Sequence, residues 1–182
     1  MENTAMNLAI TKHGAEPLPT QYLTFLLGEE RFAVGILHVK EIIEYAGTAT
    51  VPMMPDCVRG VINLRGAVVP VIDLSARFGR GVAAIGKRTS IIIAEIDDGE
   101  GKQVLGMMVD AVNAVVEIEP ADIEAAPPFG ARIRADFIAG IAKCQGRFVI
   151  LLALERVLST GEVVELSRHA VPLATASSRA GP

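Results

Sequence analysis

The sequence contains few of the residue types from which catalytic and metal sites are usually built. Of its three histidines, His13 and His169 fall near the chain ends, and His38 has no Asp or Cys at a ligand-like spacing. The two cysteines, Cys57 and Cys144, stand far apart, and no CxxC, G-x-S-x-G or H-E-x-x-H motif is present. These absences argue against a zinc site, a disulfide framework and nucleophilic catalysis. The sequence therefore predicts no enzyme activity, no cofactor and no metal.

Positive charge, aromatic residues and long apolar runs are also scarce. The 17 Lys and Arg against 21 Asp and Glu give a net charge of −4, aromatics make up 4%, and Trp is absent. Nucleic-acid binders need phosphate-neutralising charge and stacking side chains, so we expect no nucleic-acid partner. The longest clean apolar stretch, Phe148 to Leu154, is far shorter than the roughly 20 residues of a spanning helix, and residues 1–19 lack the apolar core of a signal peptide. We therefore expect a cytoplasmic protein with no direct membrane insertion.

One segment resembles a phosphate-binding loop but does not complete the motif. Gly81 to Arg88 follows G-x-x-x-x-G-K, yet Arg88 stands where Ser or Thr would hold magnesium. The next segment, Thr89 to Ile96, is predicted to be a strand, whereas a phosphate loop precedes a helix whose N-terminus contacts the phosphates. We therefore do not expect nucleotide binding.

What the sequence does contain is β-branched and aliphatic residues in short runs separated by turns, within a 51% hydrophobic composition. This pattern favours a mainly β fold, a sandwich or small barrels, with a few short helices. The predicted helical stretches are Ile36 to Ile42, Ser75 to Phe78 and Glu155 to Leu158. The predicted strands are Gln21 to Leu27, Arg31 to Val34, Val58 to Leu64, Ala67 to Asp73, Thr89 to Ile96, Lys102 to Val109, Ala114 to Ile118, Phe137 to Cys144 and Arg147 to Ala153.

The chain ends differ from the central part. Residues 1–19 lack periodicity, and residues 172–182 are small and polar, so both are predicted to be disordered tails. Residues 20–160 are predicted to form the folded domain. A short amphipathic stretch, Glu162 to His169, predicts a terminal helix within residues 161–171.

The folded part resembles itself. Residues 58–74 match residues 138–154 at an offset of 80, with Gly60 on Gly140 and Gly66 on Gly146. A fainter match at an offset of 73 relates Ala33 to Ile42 with Gly106 to Val115; it places Val39 on Val112 and Ile42 on Val115. We expect a half of roughly 70 residues, with about five strands, to close into a small barrel. Two such barrels sharing an interface would leave a seam that forms a natural groove for a partner.

Several segments resemble the CheW family, the coupling proteins of bacterial chemotaxis. The strongest match is Gly60 to Leu74, with its Asn-Leu-Arg-Gly, Val-Pro and Asp-Leu elements. Tyr22 to Val34, Ile36 to Ile42 and Val109 to Val112 also match, and the resemblance covers about residues 20–160. The match is weaker in the second half, at Ala111, and residues 79–87 carry no family motif.

The resemblance implies a non-catalytic scaffold made of two intertwined, five-stranded, SH3-like barrels. Its implied partners are the cytoplasmic tip of methyl-accepting chemoreceptors and the regulatory domain of a CheA-type histidine kinase. The receptor tip, a helical hairpin, would dock in the hydrophobic groove between the barrels, and the barrel ends would pack against the kinase domain. The implied groove residues are Ile36, Val39, Glu41 and Arg65 on one wall and Val112 and Val115 on the other.

Alternatives remain open from the residues alone. Val39, Val112 and Val115 are equally compatible with core positions, and Glu41 and Arg65 with a solvated pair or a turn. A coupling protein of a related non-flagellar chemosensory pathway would use the same residues with a different partner. A small-barrel module that binds a ligand or nucleic acid belongs to a different class, which the acidic charge and scarce aromatics disfavour.

Overall fold

The computed structural model describes residues 21–97, 99, 101–126 and 133–158, which fold mainly into strands. Two short α-helices, α1 and α2, span Leu74–Arg77 and Leu154–Leu158. Three 3-10 helices span Ile36–His38, Pro120–Asp122 and Ala135–Phe137. The strands are β1 (Gln21–Leu27), β2 (Glu30–Gly35), β3 (Val39–Glu44), β4 (Val58–Leu64), β5 (Ala67–Asp73), β6 (Ser90–Asp97), β7 (Lys102–Val109), β8 (Ala111–Glu117), β9 (Ile123–Glu124), β10 (Ile138–Cys144) and β11 (Arg147–Leu152).

The strands form two sheets that each curl toward closure. The six-stranded sheet has the order β8-β1-β2-β11-β10-β9, and the five-stranded sheet has the order β3-β6-β7-β5-β4. In the first, β9 follows β8 along the chain and pairs with β10 at the opposite edge. In the second, Ala49 follows β3 and bridges to Val61 of β4. Each edge strand therefore leads into a segment that covers the opposite edge, as barrel closure requires. The predicted fold of two small barrels is confirmed.

The two barrels exchange strands between the two halves of the chain. The chain leaves the six-stranded barrel after β2, builds β3 to β7 of the other barrel, and returns with β8. The six-stranded barrel therefore combines the β1–β2 hairpin of the first half with four strands of the second half, and the five-stranded barrel combines the β6–β7 hairpin of the second half with three strands of the first half. This differs from the expectation that each half closes alone.

The internal repeat is reproduced in the strand register. Parallel pairing of β5 with β7 places Val71 opposite Gly106, and parallel pairing of β11 with β2 places Leu151 opposite Ala33. These two pairs are related by the same offsets of 80 and 73 that the sequence shows. The β4–β5 and β10–β11 hairpins also carry a register shift at equivalent places, just before Gly60 and Gly140. The repeat is therefore structural and not a chance similarity of two valine-rich hairpins.

One helix prediction is wrong. Of the stretch Ile36 to Ile42, only Ile36–His38 forms a 3-10 turn, and the rest belongs to β3. Burial in β3 alternates residue by residue, with Val39, Glu41 and Ile43 more buried than their neighbours, which is a strand period and not a helical one. Strand β8 also begins three residues before its predicted start, and β9 was not predicted. The predicted terminal helix and both tails lie outside the described residues.

The main hydrophobic core is shared by the two barrels. Its buried side chains come from both sheets and both α-helices, and smaller clusters fill each barrel separately. Buried apolar area stabilises by roughly 25 cal/mol per Å², so a core common to both barrels makes each depend on the other. Members of the shared core include Phe25, Phe32 and Val34 from the six-stranded barrel and Ile72, Ile92 and Met107 from the five-stranded barrel.

The glycine pair that revealed the repeat lies where each barrel closes. A Cβ on Gly60 would lie 2.4 Å from the Ala49 carbonyl oxygen, and a Cβ on Gly140 would lie 2.5 Å from Ile123 Cγ2. Both contacts are to the closing segments described above. Gly60 also has φ +146°, a conformation that residues with a side chain rarely adopt. Only glycine lets the closing segment approach the hairpin at this point.

We predict that Gly60→Ala destabilises the fold by about 3 kcal/mol, because backbone strain and a clash with backbone act together. Gly66→Ala is the matched control, since Gly66 also has positive φ but has nothing within 4 Å of the added Cβ. Its cost should be about 1 kcal/mol. Urea unfolding followed by circular dichroism measures both. Equal losses in the two variants would contradict tight closure at Gly60.

Candidate docking seam

Strands β3 and β8 each begin at the core that the barrels share. Ile36, Val39 and Val112 are partly buried and pack against that shared core. Val39 and Val112 are equivalent in the repeat, so one valine comes from the edge strand of each barrel. The structure thus brings three of the predicted site residues to one apolar cluster, where each contributes to packing and keeps part of its surface accessible.

Farther along the same strands, two aliphatic side chains are exposed. Ile42 on β3 is 43% exposed, and its repeat equivalent Val115 on β8 is 50% exposed. Val115 was predicted as a groove residue and is placed on the outer face. Ile42 was not included among the predicted site residues, although the offset of 73 that relates it to Val115 was available in the sequence. We call Ile36, Val39, Ile42, Val112 and Val115 the docking seam.

The predicted residues Glu41 and Arg65 form an ion pair beside the seam. Arg65 donates to both carboxylate oxygens of Glu41, with distances of 2.5 Å from Nη1 to Oε2 and 3.2 Å from Nη2 to Oε1. The hydrogen bond that Arg65 donates to Glu41, followed by the negative charge of Glu41, raises the pKa of Arg65. A bidentate ion pair of this kind fixes the orientation of both side chains. The guanidinium remains mostly exposed, so it can meet a partner.

The turn that carries Arg65 explains its position. Arg65 and Gly66 both have positive φ, 51° and 86°, as a two-residue hairpin turn of type I′ requires. The backbone N–H of Gly66 donates to the side-chain oxygen of Asn63 at 2.9 Å, which holds the turn. The Asn-Leu-Arg-Gly element thus places the arginine at the hairpin tip, within reach of β3.

A second cluster of charged side chains lies next to Glu41 on the five-stranded barrel and consists of Lys40, Glu95 and Lys102. Lys40 donates to Glu95 at 3.0 Å, and the Lys102 ammonium lies 3.5 Å from the other Glu95 oxygen. The hydrogen bond from Lys40 is the main cause of a lowered pKa at Glu95, and the charges of Lys40 and Lys102 add to it. The sequence reasoning missed this cluster because Lys40 and Glu95 are distant in the chain and become neighbours only when β3 pairs with β6.

The described residues do not assemble a metal site. In the ranges described, no group of three or more His, Cys, Asp or Glu could hold a metal ion. His38 lies 3.3 Å from the Glu95 carbonyl oxygen and 3.3 Å from a Glu155 carboxylate oxygen, and the second contact joins the 3-10 helix Ile36–His38 to α2. Among the helices that are described, none is long and apolar enough to cross a membrane.

The segment that resembles a phosphate loop is tied to the protein itself. It connects α1 to β6, so a strand follows it as predicted. The N–H of Ala83 donates to Asp73 at 2.8 Å, and the N–H of Gly86 donates to Thr89 at 2.8 Å. A phosphate cradle needs such amides free, so the loop's own hydrogen bonds disfavour that role.

The fold defines a class of protein: two interlocked β-barrels that share one hydrophobic core and present an apolar seam. Comparison with known proteins gives the family. The model of the CheW-like domain matches residues 21–162, and this chain belongs to the CheW family. That family supplies the coupling scaffold between receptors and the kinase CheA in bacterial chemotaxis, which confirms the predicted adaptor function and the absence of enzyme activity.

Individual relatives agree with this assignment. The chemotaxis protein CheW of Rhizobium meliloti is 34% identical over 162 residues, covering 89% of this chain and 97% of the relative. The chemotaxis protein CheW of Klebsiella aerogenes is 31% identical over 154 residues, covering 85% of this chain and 90% of the relative. The crystal structure of the scaffolding protein TtCheW from Thermoanaerobacter tengcongensis has a TM-score of 0.70 at 35% identity and covers 81% of this chain and 92% of its own.

We predict that Lys40→Met raises the pKa of Glu95 more than Lys102→Met does, because the Lys40 hydrogen bond is the largest cause of the lowered value. A lowered pKa in the folded state stabilises the protein above the unfolded pKa of Glu95, and this contribution disappears as pH falls through the folded pKa. The stability difference between the wild type and Glu95→Gln should therefore shrink between neutral and strongly acidic pH. A carbon-13 NMR titration of the Glu95 carboxylate measures the pKa, and thermal unfolding at both pH values measures stability. Equal pKa values in the two lysine variants would contradict the assignment.

Proposed function

We propose that this chain acts in the cytoplasm by holding the tip of a methyl-accepting chemoreceptor in the docking seam while another surface holds the regulatory domain of a CheA-type histidine kinase. The observation that carries the proposal is that Ile36, Val39 and Val112 all pack against the core shared by both barrels. The Glu41–Arg65 ion pair lies beside these residues, at the edge of the docking seam. A seam supported by two barrels is a preorganised surface, and preorganisation reduces the entropy cost of binding.

The chemistry of the seam suits a helical partner. A helix that lays an apolar stripe into a groove contacts it through residues spaced three and four apart. Half-buried Val39 and Val112 offer aliphatic anchors, and exposed Ile42 and Val115 extend the apolar surface along each edge strand. A few such anchors supply most of the affinity in this mode of binding.

The Glu41–Arg65 pair has a different role in this proposal. Rim charges change specificity, register and association rate more than they change affinity. Arg65 uses two of its five N–H donors on Glu41 and keeps the remaining donors available to an acceptor on the docked helix. The receptor would thus meet apolar anchors at the centre of the surface and a directional polar contact at one side.

A coupling protein needs a second surface for its second partner, and Phe148 offers one. This side chain on β11 is 70% exposed, although aromatics are scarce in the chain. It lines a surface pocket of about 250 Å³ together with Leu26, Glu29, Glu30, Arg31, Arg147 and Ile150. An exposed aromatic ring with a charged surround has the composition of a protein–protein contact. We propose that the kinase domain packs here, against the wall of the six-stranded barrel.

We predict that Val39→Asp raises the Kd for a soluble receptor-tip fragment at least about tenfold, because burying an unpaired carboxylate against apolar side chains is unfavourable. Titration calorimetry measures the affinity, and circular dichroism verifies that the variant folds. Val82→Asp is the matched control, since Val82 is exposed on the loop between α1 and β6, outside the seam. Retained binding by a folded Val39→Asp variant would remove Val39 from the docking surface.

For the second surface, Phe148→Ser should weaken binding of the isolated kinase regulatory domain about tenfold and leave receptor-tip binding unchanged, because loss of an aromatic anchor costs a large share of interface energy. Because Phe148 is mostly exposed, we expect its substitution to leave the fold intact. Paired titrations with the two partners make the measurement. Weakened binding of both partners, or of the receptor alone, would contradict separate surfaces.

A further inference from the structure

The docking seam is nearly two-fold symmetric in its apolar residues. The exchange of strands is reciprocal, so β3 occupies in one barrel the place that β8 occupies in the other. A reciprocal exchange of equivalent parts is the arrangement of a closed two-fold pair. Val39 and Val112 are both half-buried against the shared core, and Ile42 and Val115 are both exposed to similar extents. An apolar stripe laid across the seam therefore meets similar surfaces in two placements that differ by a half-turn.

The Glu41–Arg65 ion pair does not obey this symmetry. The offsets of the repeat relate both of its residues to uncharged residues of the six-stranded barrel. Ala114 stands at the position of Glu41, and Gln145 stands at the position of Arg65. Gln145 and Gly146 keep the same turn as Arg65 and Gly66, with φ values of 53° and 77°, so the backbone is preserved while the charge is not.

The neighbouring positions repeat this contrast. Lys40 corresponds to Asn113, and both residues are exposed. Glu95 of β6 corresponds to Leu26 of β1, because the β6–β7 and β1–β2 hairpins are equivalent. The β10–β11 hairpin of the six-stranded barrel carries charge at Lys143 and Arg147. The equivalent positions of the β4–β5 hairpin are the uncharged residues Asn63 and Ala67.

We propose that the Glu41–Arg65 pair sets the direction in which the receptor helix lies across the seam. The proposal rests on the function proposed above and adds what that function leaves open, namely how a nearly symmetric surface selects one of two opposite placements. In one placement, a carboxylate or a free backbone carbonyl of the helix meets the remaining donors of Arg65. In the other, the same acceptor faces Ala114 and Gln145 and loses a charge-assisted contact.

Discrimination of this kind needs only a modest energy difference. The two placements bury similar aliphatic groups, so their apolar contributions nearly cancel in the comparison. One polar contact made in a single placement then decides the populations, although it adds little to the total affinity. Removal of the pair should therefore change direction more than it changes Kd.

The test measures the direction of binding. Cys57→Ala and Cys144→Ala remove the native thiols. A nitroxide is then attached through Asp122→Cys on the six-stranded barrel or through Lys87→Cys beside the five-stranded barrel. Both sites are exposed. A second nitroxide is placed at the turn of a soluble receptor-tip hairpin. Pulsed electron–electron double resonance then gives the distance from the nitroxide at that turn to the nitroxide on each barrel. For the unaltered seam we expect one distance to each label.

Two sets of substitutions follow the repeat. Glu41→Ala with Arg65→Gln gives the five-stranded barrel the residues of the other barrel, and we expect two distances to each label with comparable populations. Addition of Ala114→Glu and Gln145→Arg moves the pair to the six-stranded barrel, and we expect a single placement turned around. If the neutral variant fails to bind, the transplanted variant decides: reversed binding supports the proposal, and loss of binding overturns it. Thermal unfolding verifies that each variant folds.

The outcomes distinguish failure of this proposal from failure of the proposed function, which is receptor binding by the docking seam. No binding of the hairpin by the unaltered seam would overturn the proposed function, and the directional role with it. Binding at one unchanged pair of distances in both variants would leave the function standing and overturn the role of the pair. Lys143→Asn with Arg147→Ala is the matched control, and a reversal caused by it while Glu41 and Arg65 are intact would also overturn the proposal.

Discussion

The reciprocal strand pairing across the shared core is the constraint on which the rest of this structure depends. Each barrel contains a parallel pair that joins strands from opposite halves of the chain, at Val71–Gly106 and Leu151–Ala33. Parallel neighbours need a long crossover: β5 reaches β7 through α1, the loop that follows it and β6, and β2 reaches β11 through β3 to β10. The exchange places the starts of β3 and β8 at one apolar cluster, and without it the seam would not exist.

The sequence predicted the strands and the repeat well because both depend on local signals. Alternating and β-branched runs, and glycines such as Gly60 and Gly66, reflect needs of the backbone that are visible at each position. The stretch Ile36 to Ile42 was misread as helical because apolar residues spaced three apart also occur in a short turn followed by a strand. The order of strands in the two sheets was not accessible, since pairing between halves has no local signature.

The residues of the candidate site also divide into those that local sequence signals predicted and those that depend on sheet pairing. The Asn-Leu-Arg-Gly element and the family match of Ile36 to Ile42 pointed to Arg65 and Glu41, and the structure brings these two side chains together. The Lys40–Glu95 contact and the exposure of Ile42 arise from sheet pairing and were not foreseen. Burial was also ambiguous in advance: Val39 and Val112 are neither fully core nor fully surface, because they lie where the core reaches the edge strands.

The strand exchange has a mechanical consequence. Since the backbone crosses between the barrels after β2 and again after β7, neither barrel can be displaced far without dragging covalently linked strands of the other. A linker between two modules would absorb a push as hinge motion, whereas this body moves as one stiff piece. A small displacement imposed at one face is therefore passed to the opposite face with little attenuation. A scaffold that transmits motion between two larger proteins needs this stiffness.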